Sequence, residues 1–317
     1  MDISQIVKNS NDFNLLLQEI KDSRLANAIL LESKDNTYTF EFAKMVASVI
    51  LNNDFIENDV LDRIKLNSHP DVKIYPQKDK LLVADSQEIV DESYALPIAG
   101  NKKVFIIKDI DVSTDSAQNK LLKILEEPPK YVYMILTCSN FNLVLPTIRS
   151  RCNKYSLQKP NKEQIKSFVE GKENSQLISC LCDGYVGRAE KLSQIKELPK
   201  IFESAISVLT KLKSTKEVLA YSSELLKYKE QFDLIIEILS LAIEDLLAIK
   251  QDKGNLIKLS IAKSELESIA DQYSLKLISQ LQNVLNKAVK EKLYNVNITL
   301  IIENLLINIL EVKFLCK

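Results

Sequence analysis

Apolar residues fall along this chain in two rhythms. In the first half, short unbroken apolar runs alternate with stretches of helical spacing. The run Ala28-Ile29-Leu30-Leu31 predicts a buried strand. Phe40, Ala43, Met45, Val46, Val49 and Ile50 then recur three to four residues apart, which predicts a helix. Val72 to Tyr75 reads as a second strand, Ser86 to Leu96 as a helix with Pro97 just beyond it, and Lys103 to Ile107 (KVFII) as a buried strand. Ser113, Thr114 and Asp115 offer N-caps to a helix expected over Ala117 to Glu127, stopped by Pro128 and Pro129. Tyr131 to Thr137 predicts a further strand and Asn153 to Leu157 a last short one. Strands alternating with helices imply a parallel sheet covered by helices on both faces.

After Lys159-Pro160 the rhythm is helical throughout. A stretch from Lys162 to Cys182 leads into a turn, GYVGRA at 184–189, and from Ile201 onward helix follows helix, with Val208, Leu209, Leu212 and Ile235, Ile236, Leu239 at helical spacing. The expected fold class is α/β plus all-α: an α/β domain over 1–158, a small helical domain over 159–200 and a larger helical domain over 201–317, hinged at Pro160 and Pro199.

Composition narrows the function. The chain has 317 residues, 42 basic against 43 acidic, and only five glycines, the first at Gly100. Average usage is about 7% glycine. A glycine-free N-terminal third excludes a phosphate-cradling loop of the usual kind, which needs glycine for close backbone approach. Five arginines (Arg24, Arg63, Arg149, Arg151, Arg188) stand among many lysines, a bias expected of an AT-rich genome. The near-neutral charge argues against a free-standing basic nucleic-acid binder. No apolar run nears membrane-spanning length, and the polar start MDISQIVKNSNDF reads as neither signal peptide nor anchor. Five cysteines without CxxC spacing argue against a disulfide framework or a structural zinc site and fit a reducing cytoplasm. With His69 as the sole histidine, no other residue can serve as the base of a Ser-His-Asp triad.

Three segments carry candidate chemistry. KVFII is followed by Lys108-Asp109-Ile110-Asp111, either a surface loop or the strand-end carboxylates with which phosphate-binding sheets hold magnesium. NKLLKILEEPP (119–129) is an amphipathic helix with an acidic end. The strand YVYMILT ends in Thr137-Cys138-Ser139-Asn140, where α/β sheets place ligand-sensing groups, and LPTIRSRC follows. Arg149 and Arg151 there are either surface ion pairs or, in a chain whose default cation is lysine, forks for phosphate or carboxylate.

Together these segments, with SHPDV (68–72), GYVGRA and NVNITLIIENLL (295–306), resemble the delta-prime family of bacterial DNA polymerase III clamp-loader subunits, which are AAA+-type proteins. The resemblance implies an AAA+-like domain, a helical lid and a helical collar joining a hetero-pentameric ring with motor (gamma/tau) and delta subunits. That ring acts on the sliding clamp and primed DNA, with no membrane. It further implies an arginine finger at Arg151, flanked by Ser150 and Cys152, reaching in trans to the ATP and magnesium of the neighbouring motor subunit. Arg188 matches a sensor-two arginine, which here is vestigial or a structural ion pair, and Thr137 stands at a sensor position.

Set against ATP-binding relatives, Ser33 and Tyr38 fall at the phosphate-loop glycines, Thr39 at the lysine and Phe40 at the magnesium-binding hydroxyl. Lys108 falls at the first acidic position after the strand. The family's zinc module is also missing, since LNNDFIENDVLDRIKLNS (51–68) has no cysteine. His69 is expected to hydrogen-bond locally, and Cys180 and Cys182 to fill core. The expected function is therefore a subunit without catalysis, cofactor or metal of its own, within a DNA-directed DNA polymerase holoenzyme. Two rivals stand beside it: an ATP-binding motor subunit or other AAA+ ATPase with an unconventional loop, and a helical adaptor unrelated to replication.

Overall fold

The computed structural model describes residues 2–52, 58–77, 79–251, 253 and 256–315. Residues 53–57, inside the cysteine-free stretch, and Cys316 lie outside them. The chain divides into two compact units. One takes the chain up to Glu170 together with Gly184–Glu190; the other takes Gly171–Asp183 and the chain from Lys191 onward.

The first unit is built on five strands: β1 (Ala28–Glu32), β2 (Val72–Tyr75), β3 (Lys103–Ile107), β4 (Val132–Cys138) and β5 (Asn153–Ser156). All neighbours pair in parallel, in the order β2-β3-β4-β1-β5. Central strands of such a sheet are covered on both faces, so they read as continuous apolar runs. Every residue of β3 is buried, whereas edge strand β5 (NKYS) is largely exposed. The Asn36–Asn52 helix after β1 is buried over most of its circumference, from Tyr38 to Ile50. At the adjacent strands β1 and β4 the connections leave the carboxyl ends in opposite directions, from β1 toward β2 and from β4 toward β5, the arrangement that opens a crevice at strand ends.

Several elements differ from their sequence expectation. Helices Ile3–Lys8 and Asn11–Lys21, capped by Asp2 and Ser10, precede β1, and neither is anticipated by the apolar pattern. The helix expected over 86–96 runs Val83–Ser93, because the Leu82 N–H and the Asp85 carboxylate close its first turn. The helix expected over 117–127 is two, Asp115–Lys120 and Leu122–Glu126, the first capped by Thr114. The stretch 162–182 also splits, into Lys162–Val169 and Ser175–Leu181, with Gly171 at φ 79° between them. GYVGRA becomes a helix start, Val186–Ser193, after the left-handed Gly184.

The second unit is entirely helical among the described residues. Its centre is the Phe232–Lys250 helix, packed by Leu198–Lys211, Lys263–Ala270 and Leu275–Leu293, with Ile298–Leu315 against Thr215–Leu225 and Leu275–Leu293. Burial and a neighbouring Lys213 push the Lys313 ammonium down to about 8. Lys313 donates to the carbonyls of Val208, Leu209 and Leu212 and so caps the Leu198–Lys211 helix. Cys182 is buried, but Cys180 is half-exposed with its sulfur 3.4 Å from the Ser260 hydroxyl, so it is not the core filler expected.

Candidate functional site

The segment from β1 into the Asn36–Asn52 helix is where an ATP-binding relative would cradle phosphate. A helix N-terminus attracts anions through its unpaired N–H groups and its dipole. Here the anion is a side chain. Asp35, 6% exposed, accepts the Tyr38 N–H on Oδ1 at 3.1 Å and the Gly187 N–H on Oδ2 at 2.9 Å. Its carbonyl takes both the N–H and the hydroxyl of Thr39, at 2.9 and 2.8 Å. Thr39, at the expected lysine position, is thus turned back into its own helix. Ser33 accepts the Asp35 N–H at 3.2 Å and donates its own to the Cys138 carbonyl at 3.1 Å. Tyr38, at the second glycine position, is 1% exposed with its ring centroid 6.3 Å from that of Phe42, and burial pushes its hydroxyl up. A Cβ on Gly187 would lie 2.4 Å from Asp35 Oδ1 and 2.4 Å from Thr37 Cβ, so this approach requires glycine.

The two positions that would hold magnesium lie beside each other and cannot do so. Phe40 has the Lys108 ammonium 5.1 Å and the Lys44 ammonium 4.3 Å from its ring centroid. An aromatic face flanked by two cations repels a metal and offers it no oxygen. Asp109 has left-handed backbone at φ 51° and gives its N–H to Thr137 Oγ1 at 3.0 Å. Thr137 is therefore tied to the β3–loop junction. Burial, then Asp111, push the Asp109 carboxyl up. Asp111 Oδ2 accepts from the Ser139 N–H, the Ser139 hydroxyl and the Asn140 N–H at 3.1, 2.8 and 2.8 Å, which holds the loop after β4. Among the described residues no group of three or more His, Cys, Asp and Glu is placed to hold a metal ion. His69 Nδ1 accepts the Asp71 N–H at 3.2 Å, the local bond expected of it.

The arginine segment lies on the turn into β5. Arg149 stacks over Phe141, its guanidinium carbon 5.0 Å from the ring centroid. Arg151 points elsewhere. Its Nε donates to Glu126 Oε1 at 2.8 Å and its Nη2 pairs with the same oxygen. Nη1 donates to the Thr147 carbonyl at 2.7 Å and the Ser150 hydroxyl at 3.3 Å. Cys152 is buried, and burial alone pushes its thiol up to about 12. Arg188 is half-buried in the first turns of the Val186–Ser193 helix, directly after Gly187. Sequence reasoning missed Asp35 and Glu126. For Asp35 a signal existed, an acidic N-cap just before a periodic apolar run; for Glu126 none did beyond its place at a helix end.

A sheet of order β2-β3-β4-β1-β5 and a Lys103–Cys152 segment dense in motif frame the comparison with known proteins. The family described as DNA polymerase III, delta subunit, matches residues 8–161. Through this stretch, just under half of the chain, the sequence is similar to that family. The delta' subunit from Bacillus subtilis is 28% identical over 207 residues, 62% of this chain and 61% of that protein. The gamma/tau subunit from Mycoplasma genitalium is 32% identical over 157 residues, 48% of this chain and 26% of that protein. Of the Mycoplasma and Buchnera gamma-type relatives the chain spans about a quarter, 24% to 28% of their length. The crystal structure of a DNA polymerase III gamma-subunit-related protein from Thermotoga maritima matches with a TM-score of 0.54 at 20% identity, over 95% of this chain and 99% of that one, a likeness of fold. Among the described residues no helix is long and apolar enough to cross a membrane.

Proposed function

We propose that this chain is a delta-prime-type clamp-loader subunit that neither binds nor hydrolyses ATP and supplies Arg151 in trans to the nucleotide of a neighbouring motor subunit. The observation that carries the first half is Asp35: a buried carboxylate takes the helix N-terminus that a phosphate would need. Lys108 and Phe40 add a second, independent loss, that of the metal. Phosphoryl transfer spreads negative charge over equatorial oxygens, and a guanidinium from an adjacent subunit stabilises it, which is the role given to Arg151.

The partners in this reading are gamma/tau-type motor subunits and a delta subunit in a hetero-pentameric ring, which would act on a sliding clamp and primed DNA in the cytoplasm. Residues 159–200 would be its lid and the helices of 201–317 its collar. The rival reading, an ATP-binding motor subunit, draws on the likeness to gamma/tau proteins. Titration of the full chain with a fluorescent ATP analogue separates the two. The proposal expects no binding at micromolar protein; saturable micromolar binding would overturn it.

A further inference from the structure

Arg151 has five N–H groups to give, as any guanidinium does. Among the described residues, four are engaged within its own chain: Nε–H and one Nη2–H on Glu126 Oε1, both Nη1–H on Thr147 O and Ser150 Oγ. A guanidinium recognises phosphate through one of two paired edges, Nε with Nη2 or Nη1 with Nη2. The first edge is spent on Glu126. The second is half spent on Thr147 and Ser150. No complete edge remains for an external anion.

We infer that Glu126 sheathes Arg151 in the isolated chain and is a positioning residue that regulates its action in trans. The inference rests on the assignment of Arg151 as a trans-acting finger. Carboxylate and phosphate compete for the same fork, so the guanidinium changes partner when the neighbour's nucleotide arrives. The exchange is cheap. The Arg151 and Glu126 side chains are 29% and 48% exposed, and a pair so open to solvent is held only weakly. Such a sheath holds a long, flexible side chain against its own surface, at the end of the Leu122–Glu126 helix, without making it unavailable. It also keeps the guanidinium off adventitious anions before assembly. Thr147 and Ser150 are not displaced in the exchange, because Nη1 keeps its contacts while the Nε–Nη2 edge is released.

The test is ATP turnover by the assembly reconstituted from the full chain and its motor and delta partners, as a function of the concentration of this subunit. Glu126→Gln removes the charge and keeps the shape. The inference expects the concentration for half-maximal stimulation to fall about 2- to 5-fold, the range an exposed pair can supply. The maximal rate stays unchanged, and so does KM for ATP. In an Arg151→Ala background Glu126→Gln should change nothing. An unchanged or higher half-maximal concentration, or a lower maximal rate, overturns the sheath. Loss of stimulation in Glu126→Gln comparable to that in Arg151→Ala would make Glu126 an orienting group instead. If Arg151→Ala itself leaves turnover intact, the finger assignment fails, and the sheath with it. If Arg151→Ala depresses turnover while Glu126→Gln is silent, only the sheath fails.

Discussion

The Lys108 ammonium lies 5.1 Å from the centroid of the Phe40 ring, so the two positions at which an ATP-binding relative would hold magnesium are occupied by a cation and an aromatic face in contact. Each replacement accommodates the other. Reverting both to metal-compatible side chains, Phe40→Thr with Lys108→Asp, removes a cation–π contact of about 0.5–1 kcal/mol. Thermal unfolding should show a loss of that order. An ATP-analogue titration should still show no micromolar binding, since Asp35 and the glycine-free loop remain. Gain of binding in the double variant would mean that the loop itself is competent.

Asp35 couples two segments far apart in sequence, and its variants are predicted to be non-additive. Asp35→Ala loses a helix cap, worth typically about 1 kcal/mol, and an acceptor for Gly187. Amide exchange at Tyr38 and Gly187 should accelerate. Gly187→Ala forces a Cβ into Asp35 and Thr37, at an overpacking cost of about 1–3 kcal/mol. The double variant should cost less than the sum of the singles, because both disturb one contact. Full additivity in chemical denaturation would contradict this linkage.

Thiol reactivity should divide the cysteines. Burial, together with Asp111 and Glu32, pushes the Cys138 thiol up to about 12, and burial does the same for Cys152. At pH 8 each is thiolate in only ~10⁻⁴ of molecules, and the thiolate is the reactive form. Cys180, half-exposed beside Ser260, should be alkylated by iodoacetamide in the folded protein while Cys138 and Cys152 are spared. Peptide mass spectrometry reads the order directly.

Acid should weaken the carboxyl end of β1. Burial opposes the charge on Glu32, but hydrogen bonds from Lys154 and Ser156 outweigh it and hold the carboxyl below its ordinary range. A folded-state value below the unfolded one contributes stability that is complete above about pH 4.5 and is lost as pH falls through the folded value. The stability difference between the wild type and Glu32→Gln should therefore be constant near neutrality and shrink below about pH 4.5. A difference that grows on acidification would mean that the Glu32 carboxyl lies above, not below, its ordinary range in the folded protein.

Much of the sheet is legible in the sequence because its central strands are buried on both faces, and KVFII or YVYMILT has no other stable place. Strand boundaries hold to within a residue or so: the strand expected over Tyr131–Thr137 is Val132–Cys138. Helix ends are less legible. Leu121 breaks one expected helix through local backbone geometry that leaves no mark on the apolar pattern. The site divides the same way. That Phe40 and Lys108 offer a metal ion no oxygen ligand follows from their chemistry alone. That Asp35 meets Gly187, and that Glu126 meets Arg151, depends on the fold bringing distant segments together. An aspartate before a helix and a glutamate at the end of one are ordinary in sequence, and their partners make them consequential.

That this subunit works on a neighbour's nucleotide and holds none itself is the function we propose. Its most direct test is ATP turnover by the reconstituted assembly containing Arg151→Ala, with assembly checked by size-exclusion chromatography. Loss of one transition-state arginine should lower turnover by ~10³-fold at the site it serves, while the complex elutes unchanged. Wild-type turnover in an intact complex would contradict the account.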